Sequence, residues 1–162
     1  MTDFHIRAAT DSDLPFLWEM LYQALFIPEG EKRPSRDILK QPELARCLEN
    51  WGRIGDVALI ATDRANQNLG AVWIRHFDEL NRTYGYVGES TPILGIALLP
   101  EHRGKGVGTS LLHEIISQSK RNQISSISLS VNPENPARRL YERFGFARVS
   151  EEGTSWTMVA TI

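Results

Sequence analysis

Apolar and polar residues alternate over several short stretches of this chain, which is the pattern expected of half-buried β-strands. Residues 4–9 form one such stretch, and residues 57–62 and 69–77 are β-rich runs joined by a polar turn. These two runs predict an antiparallel hairpin. The further predicted strands are residues 93–99, the alternating run at 127–131, and a closing hairpin formed by 146–151 and 155–162.

Apolar residues at spacings of three and four positions predict four helices between these strands. Caps, prolines and glycines set their boundaries, because each favours a particular end of a helix. The predicted helices are 11–26 with Thr10 and Asp13 at capping-box spacing, 42–51 between Pro42 and Gly52, a segment carrying Leu111, Leu112, Ile115 and Ile116, and a segment capped by Asn135, begun by Pro136 and ended by Gly145.

The order of the predicted elements is β, α, α, β, β, β, α, β, α, β, β. The strand, helix and strand between residues 93 and 131 require a parallel pairing, because a helical crossover returns the chain in the same direction. A polar loop at 78–92 precedes this unit. The 162 residues are near the common size of one domain. We therefore predict one α/β (α+β) domain over residues 1–162, with a mixed sheet and helices on both faces.

Composition excludes several functional classes. A chain that is 41% hydrophobic and 23% charged is an ordinary globular one, and its formal net charge of −2 provides no attraction to nucleic acid or anionic membranes. Neither a bilayer-spanning apolar run nor a signal peptide at residues 1–5 is visible. Cys47 has no second cysteine to pair with, and no Cys/His cluster indicates a metal. We expect a cytoplasmic protein with no metal, nucleic-acid or membrane partner.

A glycine-rich turn separates the strand at 93–99 from the third helix. The first N–H groups of a helix have no partner within it, and the helix dipole adds partial positive charge there. Gly104, Gly106 and Gly108 carry no Cβ, so a phosphate can approach the backbone closely. Lys105 adds charge at the same place. The turn therefore predicts an anion site, the alternative being glycines that serve turn geometry alone.

Two familiar phosphate motifs do not match this turn. The dinucleotide fingerprint requires a third glycine where the chain has Thr109 or Leu111, depending on the register. The P-loop requires Ser or Thr after its lysine, but Gly106 follows Lys105. A nucleotide-binding domain of another kind is therefore the weakest of the interpretations considered below.

The pattern Arg-x-x-Gly-x-Gly over residues 103–108 resembles the turn on which the GNAT superfamily of N-acetyltransferases binds the pyrophosphate of acetyl-CoA. The run Asn-Pro-Ala-Arg-Arg-Leu-Tyr-Glu-Arg-Phe-Gly-Phe over 135–146 is similar to the second cofactor-binding segment of that family. Two motifs in this order are more specific than either alone. They cover about the second half of the chain, and the first half matches in layout only. The resemblance implies a GNAT-like fold with a mostly antiparallel sheet, a parallel pair at the cofactor site, and acetyl-CoA as acetyl donor.

The resemblance also implies which residues bind acetyl-CoA. The turn would hold the pyrophosphate, and the strand before it, splayed from its neighbour, would orient the thioester through its backbone. The alternative for the strand is that it is paired in the ordinary way. The alternative for Asn132 and Asn135 is that they serve only in a turn and a helix cap. The implied cofactor-binding residues are Ile96, Ala97, Leu98, Arg103, Gly104, Lys105, Gly106, Val107, Gly108, Thr109, Asn132, Asn135, Arg138 and Tyr141.

Transfer of an acetyl group from a thioester to an amine needs an acid for the leaving thiolate and a neutral amine. Tyr141 stands where many family members place such an acid, and a phenol pKa near 10 is close to that of a thiol. The alternative is a tyrosine of the core. Glu89, just before the central strand, is the first candidate for the base, followed by His76 and Glu79. A surface charge is the usual explanation of each of these three residues.

The sequence does not identify the acceptor, which we expect to be a small-molecule amine or a peptide N-terminus. Trp18, Tyr22 and Trp51 are interpreted as core residues, with the alternative that some of them line the acceptor site. The resemblance leaves a homodimer possible. The leading hypothesis is an N-acetyltransferase in which the amine attacks acetyl-CoA directly in a ternary complex. A non-catalytic acyl-CoA-binding sensor or interaction module is the alternative.

Overall fold

The computed structural model describes residues 3–162, so Met1 and Thr2 of the N-terminal segment considered above lie outside the described residues. The strands are β1 Phe4–Ala8, β2 Val57–Asp63, β3 Asn68–Arg75, β4 Ile93–Leu98, β5 Ser126–Val131, β6 Ala147–Glu152 and β7 Ser155–Thr161. The α-helices are α1 Leu14–Gln23, α2 Pro42–Ala45, α3 Val107–Arg121 and α4 Ala137–Arg143.

The strands form a seven-stranded sheet in the order β1-β2-β3-β4-β5-β7-β6. Neighbours are antiparallel except β4 and β5, which run parallel on either side of the crossover through α3. This confirms the predicted mixed sheet and its parallel pair. No helix in residues 3–162 combines the length and apolar character needed to cross a bilayer.

The two faces of the sheet carry different helices, because successive side chains of a strand point to opposite faces. On one face α3 packs on alternate residues of β2, β3 and β4, with Leu111 and Ile115 fully buried. On the other face α1 places Leu17 and Met20 against the intervening residues, among them Trp73. The helices thus cover both faces, as predicted.

The start of α1 follows the predicted capping box. The Asp13 carboxylate accepts hydrogen bonds from the Thr10 N–H at 2.7 Å and from the Arg7 guanidinium at 2.7 and 2.9 Å. These donors, with Arg7 first, hold the pKa of Asp13 well below its ordinary value. The helix itself is shorter than predicted, because residues 11–13 form a 3-10 turn and α1 ends at Gln23.

The prediction of a helix over residues 42–51 is wrong beyond its first turn. The α2 helix ends at Ala45, and the following turns include Asn50 in a left-handed conformation with φ of 54°. The carbonyl oxygens of Arg46 and Glu49 accept hydrogen bonds from the buried Arg75 guanidinium at 2.9 and 2.7 Å. Those carbonyls therefore point at a side chain from the sheet instead of continuing a helix.

The fourth helix begins one residue later than predicted. Pro136 is its cap and Ala137 its first residue. The Asn135 side-chain oxygen accepts the Ala137 N–H at 3.0 Å, so this asparagine still closes the turn that leads into α4.

Candidate active site

The parallel strands β4 and β5 separate soon after they meet. In the described chain, Ile93 and Ser128 are the one residue pair registered between them, beside a hydrogen bond from the Ser128 N–H to the Pro92 oxygen at 3.0 Å. Beyond that pair a cleft of about 380 Å³ opens, with Leu94 to Ile96 on one wall and Leu129 to Asn132 on the other. This separation agrees with the splayed strand that the resemblance implied.

Alternation along β4 decides which of its backbone groups face the cleft. The Leu99 N–H donates to the Leu69 oxygen at 2.9 Å, and Ala97 is registered with Ala71, so these positions bond to β3. The intervening Ile96 and Leu98 direct their N–H and C=O groups toward the β5 side, where no residue of the described chain is registered with them. Of the three residues implied for orienting a thioester, Ile96 and Leu98 thus have backbone groups available, and Ala97 does not.

Gly95 allows the cleft to form beside a large aromatic ring. It is paired with Trp73 of β3, and a Cβ on Gly95 would lie 2.4 Å from two carbons of the indole. Trp73 is 3% exposed and lines the cleft. A side chain at position 95 would push the indole out of its place, so only glycine fits there.

The loop between β3 and β4 closes one wall of the cleft. Gly85, with φ of +91°, lies so close to β5 that an added Cβ would be 3.0 Å from the backbone carbon of Leu129. The Thr83 hydroxyl donates to the Glu43 carbonyl and so ties the loop to α2. Thr83 and Tyr84 line the cleft, so the polar loop predicted at 78–92 forms part of its wall.

The glycine turn lies beyond the end of β4, at the start of α3. Gly104 and Gly106 have φ of +75° and +85°, and nothing lies within 4 Å of a Cβ placed on either. Gly106 caps α3 and no side chain bonds to the free N–H groups of the first turn. Arg103 is exposed and forms no ion pair within residues 3–162. The turn therefore offers unpaired donors, open space and positive charge, which is what an anion needs.

Three of the other residues implied for the turn differ in exposure. Val107 is fully buried under the turn, whereas Lys105 and Thr109 are exposed. Gly108 packs at ordinary contact distance, its Cβ position lying 3.8 Å from side-chain carbons of Leu98 and Leu140. The turn is thus anchored by Val107 and Gly108 and open on its other side.

Tyr141 on α4 lies on the wall of the cleft. It is 8% exposed, and its ring packs edge-on against Phe146 with centroids 6.1 Å apart. Burial raises the pKa of Tyr141 to about 12, so the phenol is protonated at all ordinary pH values. Its hydroxyl has no hydrogen-bond partner in the part of the chain that the structure describes. Tyr141 therefore belongs to the core and also presents an unpaired donor to the cleft.

The remaining residues implied for cofactor binding fall in two groups. Asn132 and Asn135 line the cleft, although both side-chain oxygens also accept backbone N–H groups two residues ahead. Arg138 instead lies over the Trp156 ring at 5.0 Å and near Glu142 at 4.0 Å. The two asparagines thus have their turn roles and remain at the cleft, and Arg138 is held beside it.

The structure does not bring Glu89 to the cleft. Glu89 is exposed and lines a separate depression together with His76, whose Nδ1 lies 2.9 Å from the Glu89 carbonyl oxygen. Glu79 is exposed beside Arg82 at 3.8 Å. The lining of the cleft in residues 3–162 contains no Asp, Glu or His side chain. A carboxylate base within the cleft is therefore absent from the described residues.

Sequence reasoning missed the buried ion pair of Arg75 and Asp56. Both side chains are at most 2% exposed, and the guanidinium donates to the carboxylate at 3.0 and 2.8 Å. Asp56 also accepts the N–H groups of Gly52 and Arg53 at 3.0 and 2.9 Å. The signal in the sequence was an arginine ending an otherwise apolar strand. The pair fixes residues 46–56 against β3 beneath the cleft.

The three aromatic residues considered for the acceptor site pack in the core instead. Trp18 and Trp51 pack against the cluster under α1, and Trp51 also lies 5.0 Å from the Arg75 guanidinium. The Tyr22 hydroxyl donates to the Pro34 oxygen at 2.6 Å. The aromatic rings that do line the cleft are Phe26, Trp73, Phe77, Tyr84 and Tyr141.

Comparison with known proteins agrees with this geometry. The family model described as the acetyltransferase (GNAT) family matches residues 18–146, which is most of the chain and includes both motifs, Tyr141 and most of the residues that line the cleft. The chain belongs to the GNAT family. Members of this family are acetyl-CoA-dependent acyltransferases.

Two curated relatives illustrate how far the sequence similarity reaches. The chain is 38% identical over 61 residues to a ribosomal protein bS18-alanine N-acetyltransferase of Haemophilus influenzae, covering 38% of this chain and 42% of the relative. It is 23% identical over 115 residues to an L-2,4-diaminobutyric acid acetyltransferase of Nocardia farcinica, covering 62% and 58%. The chain thus spans about half the length of the curated relatives it matches.

Solved structures match over nearly the whole chain. The PaiA N-acetyltransferase of Thermoplasma acidophilum in complex with coenzyme A has a TM-score of 0.69 at 19% identity, covering 99% of this chain and 100% of that one. A ribosomal-protein-alanine N-acetyltransferase of Brucella melitensis has a TM-score of 0.68 at 21% identity, covering 98% and 99%. At these identities the match establishes the GNAT fold.

Proposed function

We propose that this GNAT protein is an acetyl-CoA-dependent N-acetyltransferase that acetylates a primary amine by direct attack in a ternary complex. The observation that carries the proposal is the β4–β5 cleft, which has unpaired backbone groups on one wall and the unpaired hydroxyl of Tyr141 on another. The glycine turn at the start of α3 continues from the same strand. A thioester held across these elements would find donors for its phosphates, its carbonyl and its sulfur.

The glycine turn fits the pyrophosphate of acetyl-CoA. Open space at Gly104 and Gly106 admits the phosphates to the free N–H groups of α3, and Arg103 supplies a charge that is not used elsewhere in the described chain. In β4, the N–H groups of Ile96 and Leu98 are the candidates for the thioester carbonyl. A donor aimed at a developing oxyanion is worth roughly 3 kcal/mol in the transition state.

In the reaction, the amine nitrogen attacks the carbonyl carbon, the carbon–sulfur bond breaks and coenzyme A leaves as a thiolate. The amine proton passes to solvent. We propose that Tyr141 donates a hydrogen bond to the departing sulfur. Because its pKa is about 12, complete proton transfer to a thiolate of pKa about 8.5 is uphill by roughly 5 kcal/mol. Stabilisation by hydrogen bonding is therefore the role that its raised pKa favours.

The state of Cys47 favours direct attack over an acetyl-cysteine intermediate. Cys47 is among the residues that line the cleft, but burial raises the pKa of its thiol to about 11. At pH 7 the reactive thiolate is therefore about one part in ten thousand. A covalent route through Cys47 would need a base beside it, and the partners of its sulfur are the Glu43 carbonyl oxygen and the Thr83 hydroxyl, each at 3.9 Å.

Calorimetry and thiol release test the proposal together. We expect micromolar binding of acetyl-CoA, none of ATP or NAD, and release of free coenzyme A when a primary amine is added. Failure of acetyl-CoA to bind would remove the basis of the proposed function.

One observation favours a second candidate, the non-catalytic acyl-CoA-binding module. The cleft lining in residues 3–162 has no carboxylate or imidazole to take a proton from an ammonium group. Tight acetyl-CoA binding without thiol release across alkyl, aryl and peptide amines would support this module, and release with any of them would exclude it.

The names of relatives supply candidate acceptors. One curated relative is named for the alanine of ribosomal protein bS18, and the matching structures include a spermidine/spermine N-acetyltransferase and a spermidine N-acetyltransferase of Vibrio cholerae. We therefore consider a peptide N-terminus and a polyamine as acceptors for this chain.

A further inference from the structure

The end of the cleft on the α1 face of the sheet is built almost entirely from hydrocarbon. This end is on the opposite face of the sheet from α3. An acceptor that approaches the thioester from the α1 face would therefore contact the side chains of this end first. Its lining on that face is Leu21, Leu25, Phe26, Ile27, Ile38 and Leu44.

Within the described residues, this end of the cleft has no carboxylate that could bind a second ammonium group of the acceptor. Arg75 is the one charged side chain lining the cleft in residues 3–162, and its guanidinium is already bound to Asp56 and two carbonyls. A buried ammonium without a carboxylate would lose its hydration with no compensating partner, which costs several kcal/mol. The interior of the cleft thus opposes dications.

The rim has no excess of negative charge. Residues 27–40 contribute three acidic and four basic side chains, and one of the four basic groups, Arg36, is paired with Glu19 of α1 at 2.8 Å, so this rim is close to neutral. Two of the basic groups, Arg33 and Arg36, lie over the Tyr22 ring at 4.7 and 4.6 Å. A polyamine approaching this rim would therefore find no net electrostatic attraction.

We propose that the acceptor is a monoamine whose amino group is attached to an apolar, uncharged group, and that polyamines are excluded. The inference rests on the proposed function for the identity of the site. It also accounts for the missing base. An apolar cleft disfavours the charged form of a bound amine, so the amine binds in the neutral form that attacks the thioester.

The test compares hexylamine with 1,6-diaminohexane, which share a carbon chain and differ by one charge. Each is titrated calorimetrically at pH 9 into the full chain saturated with coenzyme A, and initial rates are measured with acetyl-CoA. We expect hexylamine to bind at least about 30-fold more tightly. Equal or tighter binding of the diamine, or no binding of hexylamine, would overturn the inference.

A Leu-Gly-Gly amide peptide, run in parallel, distinguishes the two sources of an apolar amine. Acetylation of the peptide at a higher kcat/KM than hexylamine points to peptide N-termini, and the reverse order points to small amines. Both orders support the inference. If acetyl-CoA binds but no amine causes release of coenzyme A, the proposed function is wrong. The calorimetric preference between hexylamine and 1,6-diaminohexane is measured in either case.

Placing a carboxylate at the apolar end sharpens the test. Ile38 and Leu44 are half-buried at the mouth, so Ile38→Glu and Leu44→Glu supply a counter-charge at sites that tolerate one. Either is expected to lower the preference for hexylamine about tenfold. Ile54→Glu is the matched control, because Ile54 is fully exposed and lines no part of the cleft. An unchanged preference in both folded variants, or an equal change in the control, would contradict the inference.

Discussion

The proposed cofactor end and the proposed acceptor end of the site are made in different ways. The proposed cofactor end is made from backbone: free N–H groups at the start of α3, beyond the cleft, the unpaired groups of Ile96 and Leu98, and glycines that leave them accessible. The proposed acceptor end lies in the cleft and is made from side chains of α1, α2 and the segment between them, held by the buried ion pair of Arg75 and Asp56. The cofactor end therefore depends on local conformation, and the acceptor end depends on packing between distant segments.

This difference implies that substitutions at the two ends should fail in different ways. A change at the cofactor end should weaken acetyl-CoA binding and leave the protein folded, because the turn is exposed and nothing in the described chain lies within 4 Å of a Cβ placed on Gly104 or Gly106. A change at the supports of the acceptor end should reduce stability, because Arg75 and Asp56 are buried and each of their side-chain nitrogen and oxygen atoms has a hydrogen-bond partner.

The largest expected effect is on the support of the acceptor end. Arg75→Met should lower the free energy of unfolding by about 3–5 kcal/mol, because it leaves the Asp56 carboxylate buried without its partner. Urea unfolding followed by circular dichroism measures this. The matched control is Arg36→Met, which breaks a similar bidentate pair with Glu19 at the surface and should cost less than about 1 kcal/mol. Similar losses in both variants would contradict the packing account of this end.

The next effect tests the cofactor end. Gly106→Glu should weaken acetyl-CoA binding at least about 100-fold, because it puts a Cβ and a negative charge where phosphates are expected to bind. Isothermal calorimetry measures the loss. Gly30→Glu controls for backbone strain, since Gly30 has φ of +87° against +85° at Gly106 and open space around it as well. Comparable loss of binding in the control would show that strain, and not the phosphate site, is responsible.

Tyr141→Phe tests the point where the two ends meet. We expect kcat to fall about 10- to 100-fold with acetyl-CoA affinity nearly unchanged, because we propose that the phenol donates a hydrogen bond to the leaving sulfur. In the wild type, the raised pKa of about 12 keeps the phenol protonated, so kcat should not decline on its account below about pH 11. Steady-state rates from pH 6 to 10 measure both. An unchanged kcat in the variant would remove Tyr141 from the reaction.

The smallest effect concerns the anchor of α1. Asp13→Asn should cost about 1 kcal/mol of stability at pH 7 by weakening the capping box and the contact with Arg7. Since Arg7 lowers the folded-state pKa of Asp13, this stabilisation is present above the unfolded pKa near 4 and is lost as the pH falls toward the lower folded value. The difference in thermal midpoint between wild type and variant should therefore shrink from pH 5 to pH 2. A constant difference would mean that the carboxylate charge contributes nothing.

The same contrast explains what the sequence could predict. The glycine turn, the parallel crossover and the position of Tyr141 are local or family patterns, and each was found from a short run of residues. The Arg75–Asp56 pair joins residues 19 positions apart across a strand, and no spacing rule signals it. Its carbonyl contacts also explain why the helix predicted at 42–51 is cut short.

The proposed base illustrates a further limit. Glu89 stands just before the central strand in sequence, but the Gly85 turn carries the loop against β5 and leaves the Glu89 side chain at another depression. Position along the chain therefore predicted which segment reaches the site but not which side chain enters it. The acceptor end has no motif at all, because any set of apolar residues of suitable size can line it.

The separation of β4 from β5 also bears on how the molecule avoids self-association. Open strand edges attract strands of other chains, and an interrupted sheet has two inner edges in addition to its outer ones. Here the inner edges face each other across a narrow slot, and the Gly85 segment covers part of β5. The edges that line the proposed ligand site are thereby less accessible to strands of other molecules than the outer edges of the sheet.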